Sequence, residues 1–272
     1  MKAIVLATDF SENARSASEF AGQLAAQHNA RLILLHVYQH PLQLELLRTV
    51  FTPMEEKVKR SARRKLYRLR DKLQQVAGGQ LSITVLAREG ATLETIERVV
   101  NEEKADLLVM GTAGARSAGV RYFGSQATDM IPRTTVSLLL VPPGAKFVPF
   151  KNIVLAVNLE KPVSAHALDG VMRFAKRFEG CLNLICVSQK PGDPLVQQAA
   201  EELRQLLKHQ PHTVSLVPGE DLTTTILHFV AENRADLVMM LPKSRNRILR
   251  SLLETRTQRL ARQSDVPVLA VV

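Results

Sequence analysis

Apolar residues along this chain follow two alternating rhythms. The apolar run Lys2–Ala7 (KAIVLA) reads as a strand buried on both faces of a parallel sheet, and Arg31–Val37, Leu81–Ala87, Leu107–Met110 and Ser137–Val141 read as further strands. Between them apolar positions recur every three or four residues, which predicts amphipathic helices at about 12–29, 42–77 and 93–103, with another starting near Ser125. Ser11 is placed to cap the first helix. Thr52-Pro53 should break or kink the second, and Gly78-Gly79 turns the chain into the third strand. Strands alternating with helices imply right-handed βαβ crossovers and an open, doubly wound α/β sheet.

The pattern then repeats. KNIVLAVN (151–158) echoes KAIVLATD (2–9), LNLICV (182–187) echoes LILLHV (32–37), ADLVMML (235–241) echoes ADLLVMG (105–111), and VPVLAVV (266–272) echoes VSLLLVP (136–142). The offset falls from about 150 to about 130 along the chain, so the second copy is shorter, and the loss falls between its second and third strands. A repeat of this length is a duplicated domain rather than a solenoid. The Pro/Gly-rich stretch 142–150 (PPGAKFVPF) is the natural linker, giving domains at 1–144 and 150–272. The fold class is therefore two tandem open-sheet, doubly wound parallel α/β domains of Rossmann-like type.

Chemistry concentrates at the strand ends of the first domain, where open α/β sheets bind ligands. Thr8-Asp9 follows strand one, His36-Val37 ends strand two and Gly90 follows strand three. After strand four, Gly111, Gly114 and the Gly124-Ser125 pair stand at the spacing G-x2-G-x9-G-S. Glycines let a backbone approach a phosphate closely, and the free N–H groups of a helix start point at it. The same glycines could instead serve only turns and a helix start. In the second copy the corresponding positions are Leu241, Ser244, Glu254 and Thr255, with Asn158 for Asp9. Glu254 would set a negative charge where a phosphate would sit, so a site built like the first is not expected there. Since the fold recurs without those glycines, a purely structural role for Gly111, Gly114 and Gly124 is disfavoured.

On these residues the first domain resembles the ATP-binding branch of the universal stress protein family, whose fingerprint is G-x2-G-x9-G-(S/T). The opening D-x-S of that family matches Asp9 and Ser11. The resemblance extends to both halves as a tandem pair and implies an adenine-nucleotide alpha-hydrolase-like fold with ATP as ligand. It implies that the Met110–Gly114 loop and the backbone at Gly124, Ser125 and Gln126 hold the phosphates. Ser125 would offer its hydroxyl to a phosphate or to Mg²⁺. Asp9 and the Val37 backbone would face adenine and ribose, with Ala7 and Thr8 lining the floor. Arg116 and Arg121 lie in the nine-residue loop, where they are solvated or neutralise phosphate charge. In this family the last strand pairs domains across a two-fold axis. The apolar SLLLV and VLAVV strands could thus cover each other within one chain, and a homodimer stays open.

Composition narrows the rest. The chain has 272 residues, 46% of them hydrophobic, no tryptophan and few other aromatics, a soluble composition poorly suited to stacking single-stranded nucleic acid. No signal peptide or membrane-length apolar run is evident. Cys181 and Cys186, five apart on one strand, face opposite sides and are expected to be reduced core residues in a cytoplasmic protein. His36 reads as a packed strand-end residue, and His209 and His212 complete no metal site. The net charge of +10 gathers on the 57–72 helix, which reads as a solvated face or, alternatively, as a docking surface for an acidic partner or nucleic acid, with nucleic acid the less favoured partner. No nucleophile elbow, Walker lysine or dinucleotide fingerprint is present. The expected function is an ATP-binding stress or signalling module read by an unidentified protein partner. Slow ATP hydrolysis is the enzymatic alternative, with no catalytic residue specified.

Overall fold

The computed structural model describes residues 1–39, 48–112, 123–159, 165–241 and 255–272, with side chains given except at 48–55, 123–125 and 165–167. The chain divides into two compact units, the first ending at Phe147 and the second beginning at Val148. The first unit holds β1 (Ala3–Ala7), α1 (Glu12–Gln27), β2 (Arg31–Tyr38), α2 (Arg48–Val76), β3 (Ile83–Glu89), α3 (Thr92–Glu102), β4 (Leu107–Gly111), α4 (Phe123–Asp129) and β5 (Ser137–Val141). Its strands run parallel in the order β3-β2-β1-β4-β5. The second unit holds β6 (Asn152–Val157), α5 (Ala165–Arg177), β7 (Cys181–Ser188), α6 (Pro194–Leu206), β8 (His212–Pro218), α7 (Leu222–Glu232), β9 (Leu237–Met240), α8 (Arg256–Gln263) and β10 (Val268–Ala270). Its strands follow the same plan, β8-β7-β6-β9-β10, again parallel. The repeat in the sequence is thus a repeat of topology.

The apolar runs form strands because helices cover both faces of the sheet. Ile4, Val5 and Leu6, Leu32 through Leu35, Leu107 through Val109, and Leu138 through Leu140 are all buried. Each such side chain contributes about 1.5–3 kcal/mol by leaving water. Four helix exits use one device. Asn29, Lys104, Glu179 and Arg234 adopt φ of 49°, 49°, 51° and 47°. The residue after each then donates its N–H back into the last helical turn: Ala30 to Ala25 O at 2.9 Å, and Ala105 to Val100 O, Gly180 to Ala175 O and Ala235 to Val230 O at 3.0 Å. This left-handed cap turns each helix into the next strand. A second repeated device is Asp106, whose carboxylate accepts the N–H groups of Lys2 and Ala3. Asp236 does the same for Lys151 and Asn152. The Ala-Asp-Leu triplet of both copies therefore pins the start of the first strand in each unit.

Two expectations are corrected. Pro53 does not break the second helix: α2 is assigned as one 29-residue helix through it. Residues 42–47 of the expected helix lie outside the described residues. Gly111 ends β4 rather than starting the loop. Gly124 and Ser125 lie within helix α4 (Phe123–Asp129). The shortening of the second copy falls where the offsets place it, with the 13-residue α6 standing in place of α2. Among the described residues no helix is long and apolar enough to cross a membrane.

Candidate functional site

From β1 the chain crosses to β2 on one side, and from α3 it returns to β4 on the other. The crevice outside the carboxyl ends of β1 and β4 is therefore the switch point of the sheet. It holds a cleft of about 510 Å³, part of it open to solvent. Ala7, Thr8 and Asp9 line it from β1, Leu35 and Val37 from β2, Met110, Gly111 and Thr112 from β4, and Asn13 and Ala14 from the start of α1.

Strand lengths build the opening. β1 pairs with β2 only as far as Ala7 opposite Leu35, whereas β2 continues alongside β3 to Tyr38. Val37 thus stands beyond the end of its inner neighbour. Gly90 then closes the β3 end at φ 140°, a conformation that favours glycine, with its N–H donated to Tyr38 O at 3.1 Å.

The turn after β1 is tightly specified. Thr8 is buried and fully committed: its N–H donates to Leu35 O at 2.9 Å, its Oγ1 accepts from Phe10 N at 3.1 Å, and its carbonyl meets His36 Nδ1 at 2.7 Å. Phe10 sits at φ 65° and stacks on His36 with ring centroids 4.5 Å apart. Asp9 Oδ1 accepts from both the N–H (3.0 Å) and the hydroxyl (2.7 Å) of Ser11. Ser11 Oγ in turn caps α1 by accepting from Ala14 N at 3.2 Å. The Asp-x-Ser pattern is therefore a locked turn that holds the Asp9 carboxylate at the cleft, with Oδ1 spent on Ser11. Burial lowers the His36 pKa, against the opposing hydrogen bond to Thr8 and with Lys65 also lowering it. His36 accordingly favours the neutral form, with Nδ1–H donating to Thr8 O.

Gly111 has a packing role that the sequence comparison disfavoured. A methyl group placed on it would lie 2.9 Å from Asn13 O and 3.2 Å from Ala14 Cα. The first turn of α1 thus crosses β4 at a distance only glycine allows. Leu241 of the second unit occupies this position in a copy where residues 160–164, before α5, are not described.

Among the described residues, Thr112 Oγ1 and Gln126 Oε1 are shielded from solvent and have no hydrogen-bond partner. Thr112 is 1% exposed and lines the cleft. Sequence reasoning passed over Thr112; its signal was a hydroxyl wedged between the first two glycines of the fingerprint. Gly114, Arg116 and Arg121 lie outside the described residues, as do Ser244 and Glu254 of the second copy. The backbones of Gly124 and Ser125 are placed in α4, while their side chains are outside the described set. Among the described residues no group of His, Cys, Asp or Glu is arranged to hold a metal. Cys186 is buried and its thiol is pushed up to about 12 by desolvation, while Cys181 is partly exposed; both are free.

The profile of the Universal stress protein family matches residues 1–142 and again 149–272. A universal stress protein of Thermus aquaticus is 34% identical over 146 residues, 52% of this chain and 98% of that protein. One from Mycobacterium tuberculosis is 28% identical over 144 residues, 52% of this chain and 95% of that protein. Such relatives thus correspond to about half of the present chain. The crystal structure of a universal stress protein from Archaeoglobus fulgidus covers 99% of this chain and 97% of its own, with a TM-score of 0.76 at 19% identity. With two successive matches that together span nearly all its residues, this chain belongs to the universal stress protein family.

Proposed function

We propose that the first unit binds one ATP in the cleft between the ends of β1 and β4, and that the protein acts as a nucleotide-responsive module of the stress response. The observation that carries this reading is that three separate segments, carrying Asp9, Val37 and Gly111, converge on one cleft at the switch point of the sheet. Asp9, held by Ser11, supplies a carboxylate for ribose hydroxyls, while Val37, beyond the end of β1, supplies backbone for the adenine edge. Ala7 and Thr8 form the floor. Met110, Gly111 and Gly114 carry the backbone toward the phosphates, with Gly124, Ser125 and Gln126 completing their cradle and the Ser125 hydroxyl available to Mg²⁺. Thr112 Oγ1 and Gln126 Oε1 have unmet hydrogen-bonding capacity that a polar ligand could satisfy. ATP binding would change the surface that a partner reads.

Calorimetric titration of nucleotide-stripped protein with Mg-ATP tests this reading. Wild type should bind, Asp9→Ala should bind at least 10-fold more weakly, and Gly114→Val should not bind. Absence of heat with wild type, or equal affinity in all three proteins, contradicts it.

A further inference from the structure

The outer face of α2 is the most strongly charged surface among the described residues, and nothing in the nucleotide reading uses it. Between residues 56 and 72 it carries nine Lys and Arg against Glu56 and Asp71. The helix packs on β2 and β3 through a narrow apolar edge that includes Ala62, Leu66 and Leu73. At 100° per residue the cations spread over roughly 240° of the helix circumference. Lys57, Lys59, Arg60, Arg63, Arg64, Lys65 and Arg68 are exposed.

Few of these charges are neutralised. Lys59 pairs with Glu56 at 3.8 Å, Arg70 with Asp71 at 2.7 Å, and Lys72 with Glu19 at 2.7 Å. Arg60 Nε donates to Glu56 O at 3.2 Å, and Lys65 lies over the Phe10 ring at 5.4 Å. Lys57, Arg63, Arg64 and Arg68 form no ion pair or hydrogen bond with another described residue. The ion pairs among the described residues involve the two ends of the run, Glu56–Lys59 and Arg70–Lys72, and none involves residues 60–68. Such crowding repels itself, since like charges one turn apart are destabilising. The fold does not demand it, because the second unit builds the same strand order with a helix of 13 residues where this one has 29.

We infer that the exposed face of α2 is a docking surface for the phosphate backbone of double-stranded nucleic acid, read by charge rather than by sequence. Charge complementarity selects this partner. From Lys57 to Arg68 the helix axis covers about 17 Å, a length over which duplex DNA presents about ten phosphate charges. Arginine predominates at the centre, and its planar fork suits phosphate oxygens. An acidic protein fits less well, because protein interfaces centre on apolar anchors with charge depleted, and Tyr67 is the sole exposed large apolar side chain described on this helix before Val76. A lipid surface also fits less well, since the apolar edge of α2 is turned into the core and cannot insert. The scarcity of aromatics, which counts against single-strand stacking, does not touch a duplex held by its backbone.

Fluorescence anisotropy of the full chain with a 30-base-pair duplex of arbitrary sequence, at several salt concentrations, tests the assignment. Wild type should bind at 50 mM salt with a log–log salt slope of about −3 to −5, the signature of three to five displaced counterions. The variant Arg60→Glu, Arg63→Glu, Arg64→Glu should bind at least 30-fold more weakly and with a slope reduced by about two or more. A charge-matched control, Arg173→Glu, Lys190→Glu, Lys208→Glu, alters exposed cations of the second unit and should change affinity less than 5-fold. Circular dichroism confirms that both variants fold, and nucleotide titration separates this surface from the cleft, which the α2 variant should leave intact. Failure of wild type to bind, equal losses in the two variants, or tighter binding to polyglutamate or to phosphatidylserine vesicles than to duplex overturns the inference.

Discussion

Gly111→Ala adds one methyl group where the structure has no room for it. The new Cβ would stand 2.9 Å from Asn13 O, and 3.2 Å from both Asn13 C and Ala14 Cα. All three are backbone atoms, so no rotamer change relieves the contact. The turn that carries them is fixed as well, through Ser11 capping Ala14 N and the Ser18 hydroxyl donating to Ala14 O at 2.6 Å. β4 is equally constrained between β1 and β5. Gly111 is not among the left-handed glycines, so the cost is steric alone, of the order of 1–3 kcal/mol as in other overpacked cores. For a unit of this size that corresponds to a fall in Tm of about 3–9 °C. Urea unfolding followed by circular dichroism should show the midpoint lowered in Gly111→Ala relative to wild type. A midpoint equal to wild type would refute the argument that α1 crosses β4 on the glycine, and an ATP affinity lost without any loss of stability would assign Gly111 to the ligand alone.

Lys104 and Arg234 pay a conformational cost for their left-handed φ values of 49° and 47°. Lys104→Gly should therefore stabilise the protein by about 0.5–1 kcal/mol in thermal unfolding, the lower strain outweighing the freer unfolded chain; an unchanged or lower Tm would count against it. His36 has a folded pKa below its unfolded value because it is buried. The unfolded state then binds the extra proton first, so stability contributed by neutral His36 is present above the ordinary histidine range and declines as pH falls below about 6.5, until the folded form protonates too. His36→Gln should flatten the difference in unfolding free energy between pH 7 and pH 5.5; an identical difference in the variant would remove His36 as its source. Cys186, buried and with its pKa raised to about 12, should resist iodoacetamide in the native protein and react in urea, and native labelling at Cys186 would contradict its placement.

The sequence carried the architecture because buried parallel strands write themselves as unbroken apolar runs, and because the duplicate confirmed each strand with a second copy. It also carried the Asp9–Ser11 turn, whose residue types bind their own backbone. What it could not carry were facts of long-range contact. The spatial neighbour of Gly111 is Asn13, nearly a hundred residues away, so comparing Gly111 with Leu241 disfavoured a packing role that the structure displays. The full commitment of Thr8 depends on Leu35 and His36, which sequence spacing does not relate to it. Pro53 shows the converse: a local rule against proline within helices was outweighed, and α2 is assigned continuously through it.

The central claim is one nucleotide site per chain, in the first unit. Native mass spectrometry of the protein incubated with Mg-ATP measures it directly. Wild type should carry one ATP per chain, and Gly124→Glu, which places at residue 124 the glutamate that the second copy has at 254, should carry none. Two nucleotides per chain, or one that persists in Gly124→Glu, would contradict the account.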